Sequence, residues 1–163
     1  TLLKQVQIVH LTGTLDWDEV KAAADRLPAD LAAQYHPYPY LHEEMGAAFA
    51  SADLVVCRAG ASTLGELPYF GLPAILVPYP YAWRYQRVNA DYLVQHQAAR
   101  VLEDRELADR LTAEILDCFA RPEELAQMSQ AMQSLARPQA AESIATMLRE
   151  LAHANPNRRM TTW

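Results

Sequence analysis

Apolar positions along this chain follow two rhythms, and each change of rhythm marks an element. Residues 54–57 (Leu-Val-Val-Cys) and 74–77 (Ala-Ile-Leu-Val) are short unbroken apolar runs. Runs of that kind predict parallel strands covered on both faces. Between them Arg58-Ala59-Gly60-Ala61-Ser62-Thr63 predicts a tight loop, whose small residues let a ligand approach the backbone. A short helix follows, with Ser62 or Thr63 as its cap, and Gly71-Leu72-Pro73 stops it. The exposed N–H groups and dipole of such a helix start suit an anion. Strand, loop, helix and strand together make a βαβ unit.

The same alternation runs through the rest of the chain. Residues 5–10 (QVQIVH) predict a strand that leads into a loop at 11–14. A helix follows from about Asp16 to Leu27, where Pro28 ends it. Residues 34–40 (QYHPYPY) are expected to be extended, with their prolines at a sheet edge or in a strand-to-helix crossing. Residues 43–52 read as a short amphipathic helix opened by acids. Apolar residues recur at helical spacing over 88–97, 105–119, 122–136 and 138–152, and 98–102 is a short strand. Pro122 and Pro138 fit first turns. The fold class that follows is α/β, a Rossmann-like doubly wound parallel sheet. Residues 1–152 are expected to form one domain, and 153–163, without an apolar period, a flexible tail.

Composition narrows the function. A chain of 163 residues, 51% hydrophobic and 21% charged, has the balance of a soluble globular domain. Its net charge of −6 argues against nucleic acid as a partner. No apolar run approaches the roughly 20 residues that span a bilayer. The two cysteines, Cys57 and Cys118, form neither a disulfide framework nor a metal-ligand spacing, which fits a cytoplasmic protein with two buried thiols. The chain begins at Thr1, and Leu2-Leu3-Lys4 reads as the tail of a helix, so a piece of something longer is expected.

Ligands of open α/β sheets sit beyond the carboxyl ends of the strands. The loops after His10, at Leu41-His42, at 58–66 and at 79–89 should converge there. Several residues in them carry two readings. Glu66 closes a Thr63-x-x-Glu66 capping box, or it accepts hydrogen bonds from vicinal ribose hydroxyls. Gly60 serves a strand-to-helix turn, or it lets a ligand in close. Gln86 and Asn89, three apart on one helix face, bind sugar hydroxyls or water. Arg58 meets a diphosphate or pairs with an acid of a neighbouring loop. Tyr79, Tyr81, Trp83 and Tyr85 pack over the sheet edge or line a sugar or partner surface. No histidine shows metal-ligand spacing or a recognisable Ser or Cys partner, so no general base can be named. Residue patterns alone give a nucleotide-binding α/β domain.

Three stretches taken together are more specific: residues 53–66, residues 71–80 (GLPAILVPYP) and Gln86-x-x-Asn89-Ala90. In this order and spacing they resemble the C-terminal domain of the peptidoglycan N-acetylglucosaminyltransferases, family 28 glycosyltransferases of the GT-B fold. The resemblance runs from about Val6 to Leu151 and makes the chain look like the C-terminal half of a GT-B enzyme. It implies inverting transfer of GlcNAc from UDP-GlcNAc to lipid I, giving lipid II, with no metal and no cofactor. By position, Glu66 would bind the ribose hydroxyls. Gly60, Ala61, Ser62, Thr63, Leu64 and Gly65 would surround the sugar and diphosphate. Gln86 would read the GlcNAc hydroxyls with Asn89 beside it, and His42 would meet the uracil through its backbone. Tyr85 stands where relatives often carry His or Gln. The resemblance places a Gly-Gly-Ser phosphate loop, the lipid I site, the general base and the membrane contact in sequence before Thr1. It implies a peripheral enzyme on the cytoplasmic face of the bacterial plasma membrane. Two alternatives remain: a stand-alone sugar-nucleotide-binding subunit completed by a separate acceptor-binding partner, and a sugar-nucleotide epimerase.

Overall fold

The computed structural model describes residues 2–81 and 85–154; of the tail expected at 153–163, His153 and Ala154 instead end a helix, and 155–163 lie outside the described residues. Among the described residues five strands are interleaved with eight α-helices. In order these are β1 (Ile8–Leu11), α1 (Trp17–Ala24), α2 (Ala29–Ala32), β2 (Tyr35–Tyr38), α3 (Met45–Ser51) and β3 (Val55–Cys57). There follow α4 (Thr63–Phe70), β4 (Ala74–Leu76), α5 (Tyr85–Gln95), β5 (Ala99–Val101), α6 (Leu107–Ala120), α7 (Pro122–Ser134) and α8 (Ala140–Ala154). Every strand pairing is parallel, as the α/β alternation requires.

β4 lies between β3 and β5, with Val55 opposite Ala74 and Ala74 opposite Ala99. Its burial explains why its sequence is apolar without a break. Ala74 and Leu76 face a cluster with Leu67, Leu72, Leu93 and Met132, whereas Ile75 and Val77 face Leu102 and Cys118. Successive strand residues point to opposite faces, so a strand covered on both sides needs an apolar residue at each position.

β1 and β2 form a second parallel sheet, which no ladder joins to the first among the described residues. One continuous sheet was the expectation, and the prolines of β2 account for part of the difference. Gln34 and Tyr38 carbonyls accept from Ile8 and Thr12, so the even-numbered residues of this strand face β1. Pro37 therefore faces the other way, where its ring nitrogen offers a neighbouring strand no donor. β2 is an edge strand, as its prolines suggested.

Other boundaries moved. α1 stops at Ala24, and Pro28 opens a further turn, α2, instead of only ending α1. α5 begins three residues earlier than the periodicity placed it, at Tyr85. The stop after α4 is as expected: Gly71 sits at φ +61° and Leu72 N–H returns to the Leu67 carbonyl at 3.0 Å. A Cβ there would lie 3.3 Å from Gln133 Cβ, and Ser129 Oγ donates to the Gly71 carbonyl at 2.7 Å. α7 thus closes directly over the end of α4.

Candidate functional site

The loops that leave the carboxyl ends of β3, β4 and β5 meet through Arg58. Its Nη1 lies 2.5 Å from Asp104 Oδ1 and donates to the Val77 carbonyl at 3.3 Å, and its guanidinium carbon stands 5.3 Å from the Tyr79 ring centre. Of the two sequence readings, the acid of a neighbouring loop is the one realised. Asp104 was missed by the sequence reading. The available signal was an acidic cluster, Glu103-Asp104 with Glu106, directly after the β5 run.

The start of α4 corrects another expectation. Neither Ser62 nor Thr63 caps the helix: Ser62 occupies the cap position in a helical conformation without a side-chain bond. The Thr63 hydroxyl instead donates back to the Arg58 carbonyl at 3.1 Å, and its side chain is buried. The Thr63-x-x-Glu66 capping box is therefore absent. Glu66 is exposed, with no hydrogen bond or ion pair to its carboxylate among the described residues. Backbone bonds begin only at Leu64 N–H, which donates to Ala61, and at Gly65 and Glu66, which both donate to Ser62. Among the described residues, the amides of residues 60–63 donate to no protein acceptor. Four N–H groups without a protein acceptor at a helix start suit an anion, and a carboxylate one turn on adds an acceptor of hydroxyl protons.

Neither the glycine of this loop nor the one in the first turn of α4 is explained by the fold. Gly60 and Gly65 lack positive φ. An added Cβ would meet only Thr63 Oγ1 at 3.9 Å from Gly60, and nothing within 4 Å from Gly65. The turn reading of Gly60 thus loses its steric motive, and open space beside the backbone remains.

α5 brings its two amides to this end of the sheet. Gln86 Oε1 accepts from Tyr79 N–H at 2.8 Å, and Asn89 Nδ2 donates to the Ala59 carbonyl at 2.9 Å. Tyr79 and Tyr81 meet edge-on with centroids 5.6 Å apart, Tyr81 and Tyr85 are largely exposed, and Trp83 lies outside the described residues. His42 stands apart in the loop before α3: its ring packs 4.6 Å from Tyr40, and its carbonyl accepts from Met45 N–H at 3.3 Å. Leu64 is half-buried against the core. Burial pushes the Cys57 thiol up to about 11, opposed by the Thr63 hydroxyl and reinforced by Glu66, so this thiol is not a nucleophile. Among the described residues no cluster of His, Cys, Asp and Glu could hold a metal ion.

Residues 1–144 match the model of the glycosyltransferase family 28 C-terminal domain. The chain belongs to glycosyltransferase family 28. Two family 28 relatives carry the name UDP-N-acetylglucosamine–N-acetylmuramyl-(pentapeptide) pyrophosphoryl-undecaprenol N-acetylglucosamine transferase. The one from Roseiflexus sp. (strain RS-1) is 41% identical over 93% of this chain and 38% of its own length. That from Desulforudis audaxviator (strain MP104C) is 39% identical over 90% and 40%. The chain thus spans about two-fifths of the length of these curated relatives. Among solved structures, MurG of Acinetobacter baumannii superposes with a TM-score of 0.75 at 26% identity, covering 91% of this chain and 44% of that one. The glycosyltransferase VinC, solved with dTDP, shares the fold at a TM-score of 0.64 and 20% identity, over 89% of this chain and 34% of its own. The fold is thus that of the C-terminal half of a GT-B glycosyltransferase.

Proposed function

We propose that this chain is the UDP-GlcNAc-binding domain of an inverting N-acetylglucosaminyltransferase that converts lipid I to lipid II. The observation that carries the reading is the pairing of open amides at residues 60–63 with the unengaged Glu66 carboxylate one turn later. N–H donors suit a diphosphate, and a carboxylate suits a pair of ribose hydroxyls. Donors suited to a diphosphate and an acceptor suited to ribose hydroxyls thus stand within one helix turn of each other.

In this reading Glu66 holds the ribose, and residues 60–65 surround the diphosphate and the sugar. Gln86 meets the GlcNAc hydroxyls, and the backbone at His42 meets the uracil. The muramyl 4-hydroxyl displaces UDP at the anomeric carbon, forming the new glycosidic bond as the bond to the diphosphate breaks. The helix start then stabilises the charge that builds on the leaving diphosphate, in the manner of a preorganised anion site. Binding lipid I, accepting the hydroxyl proton and touching the membrane fall to sequence outside this chain. The undecaprenol in the relatives' names supports a membrane-borne acceptor, and the reading places the full enzyme peripherally at the membrane's cytoplasmic face. Calorimetric titration with UDP-GlcNAc, UDP and ADP-glucose tests the reading. Binding of both uridine ligands with little or none of the adenine one is expected; an adenine preference, or no binding at all, overturns it for this chain.

A further inference from the structure

The two amides at the start of α5 reach different loops, and the one from Asn89 is the more constrained. Its bond to the Ala59 carbonyl spans 30 residues of sequence, and Ala59 itself is fully buried. A carbonyl oxygen only accepts, so the atom facing it has to be the amide nitrogen of Asn89. One residue earlier, the Arg58 carbonyl is held by the Thr63 hydroxyl. Two consecutive carbonyls at the end of β3 are thus fixed, one from α4 and one from α5.

A peptide unit is planar, and none of those here is cis, so the Ala59 carbonyl and the Gly60 N–H point in opposite directions from one rigid plane. Fixing the carbonyl fixes the direction of the first open amide of residues 60–63. The next residue is glycine, which offers the least resistance to rotation of that plane. The loop's own chemistry leaves this amide's direction unset, and α5 supplies what is missing.

We propose that Asn89 is a positioning residue for the diphosphate site, acting through the Ala59–Gly60 peptide plane and not by contact with the ligand. This rests on the donor reading above. Asn89→Asp is close to isosteric, removes the donor and sets an acceptor against the carbonyl; Asn89→Ser removes the bond without that repulsion. In either variant of this chain, the 15N order parameter of Gly60 is expected to fall from the rigid range near 0.85 toward about 0.6, with the β4 amides unchanged. The dissociation constants for UDP and for UDP-GlcNAc are expected to rise together, by about tenfold, because both ligands use the same amide. An unchanged Gly60 order parameter overturns the proposal. So does a loss confined to UDP-GlcNAc, which would make Asn89 a sugar contact, and so does loss of β4 order in both variants, which would make it a general fold determinant. If the unsubstituted chain binds neither nucleotide the donor reading fails, while the order parameters still decide whether Asn89 sets the loop.

Discussion

Replacing Glu66 with alanine separates ligand binding from folding more cleanly than any other change at this site. The carboxylate has no hydrogen-bond or salt-bridge partner among the described residues and lies in the first turn of α4. Its removal therefore costs the fold only its interaction with the helix dipole, about 0.3–1 kcal/mol, partly offset by the better helix propensity of alanine. For a chain of this length that is a change in Tm of no more than roughly 2–4 °C. Binding should suffer far more. Two ribose hydroxyls donating to an ionised carboxylate are together worth about 2–3 kcal/mol, a loss of roughly 30- to 150-fold in UDP affinity. The decisive assay is calorimetry with UDP and 2′-deoxy-UDP on both proteins. The original chain should prefer UDP, and Glu66→Ala should bind the two almost equally. If Glu66→Ala keeps the original preference for the 2′-hydroxyl, Glu66 is not the ribose clamp, whatever happens to overall affinity.

Gly65→Ala should raise thermal stability, because a first-turn helical glycine costs roughly 0.5–1 kcal/mol and an added Cβ meets nothing within 4 Å; UDP-GlcNAc titration should show weaker binding by roughly tenfold, and unchanged affinity would remove Gly65 from the site. Gly71→Ala should destabilise by about 1–2 kcal/mol, from φ +61° and the 3.3 Å approach to Gln133 Cβ, with Gly71→Asn milder in the same urea titration because asparagine tolerates that backbone region better. The Cys57 thiol is raised from its ordinary value of 9.0 to about 11 in the fold. Its contribution to stability is therefore constant below pH 9 and falls as pH rises from 9 toward 11, where the unfolded chain has lost the proton and the folded one has not. Cys57→Ala should flatten that part of the urea-midpoint profile, and an identical profile would show that the thiol is not buried as described.

How far the sequence revealed this structure depends on whether each feature is decided locally. β4 was readable because burial on both faces demands an unbroken apolar run, whereas the same kind of run in β3, at the sheet edge, leaves Val56 exposed. Gly71 was readable because a helix stop of this type needs a left-handed residue. The edge position of β2 was readable from prolines that cannot donate. What failed was decided over distance. The hydroxyl of Thr63 looked like a cap because Glu66 follows at the right spacing, yet the Arg58 carbonyl sits 3.1 Å away and takes the bond. Arg58 itself meets Asp104, 46 positions along the chain, through a contact that exists only once β3 and β5 flank β4. The split between the two sheets was equally invisible, since alternation of elements says how strands run but not which edges meet.

The failed capping prediction matters most for function. A capped helix start would have turned a hydroxyl onto the first N–H groups and tied Glu66 back to the loop, consuming the same donors and acceptor that a nucleoside diphosphate needs. Instead the loop is secured from behind. Thr63 and Asn89 hold consecutive carbonyls, and Arg58 ties the loop to Asp104 and to the Val77 carbonyl. All these bonds involve carbonyls or side chains, and none engages the amides of residues 60–63. A loop can be rigid and still present its N–H groups only if its restraints act on the opposite side of each peptide plane. That is the arrangement at Ala59 and Gly60. Rigidity of this kind spares the ligand the cost of ordering the loop, which is how preorganisation raises affinity without an added contact. It also explains why a residue that sets this loop, Asn89, lies 30 positions away on α5, and not in the glycine-containing loop itself.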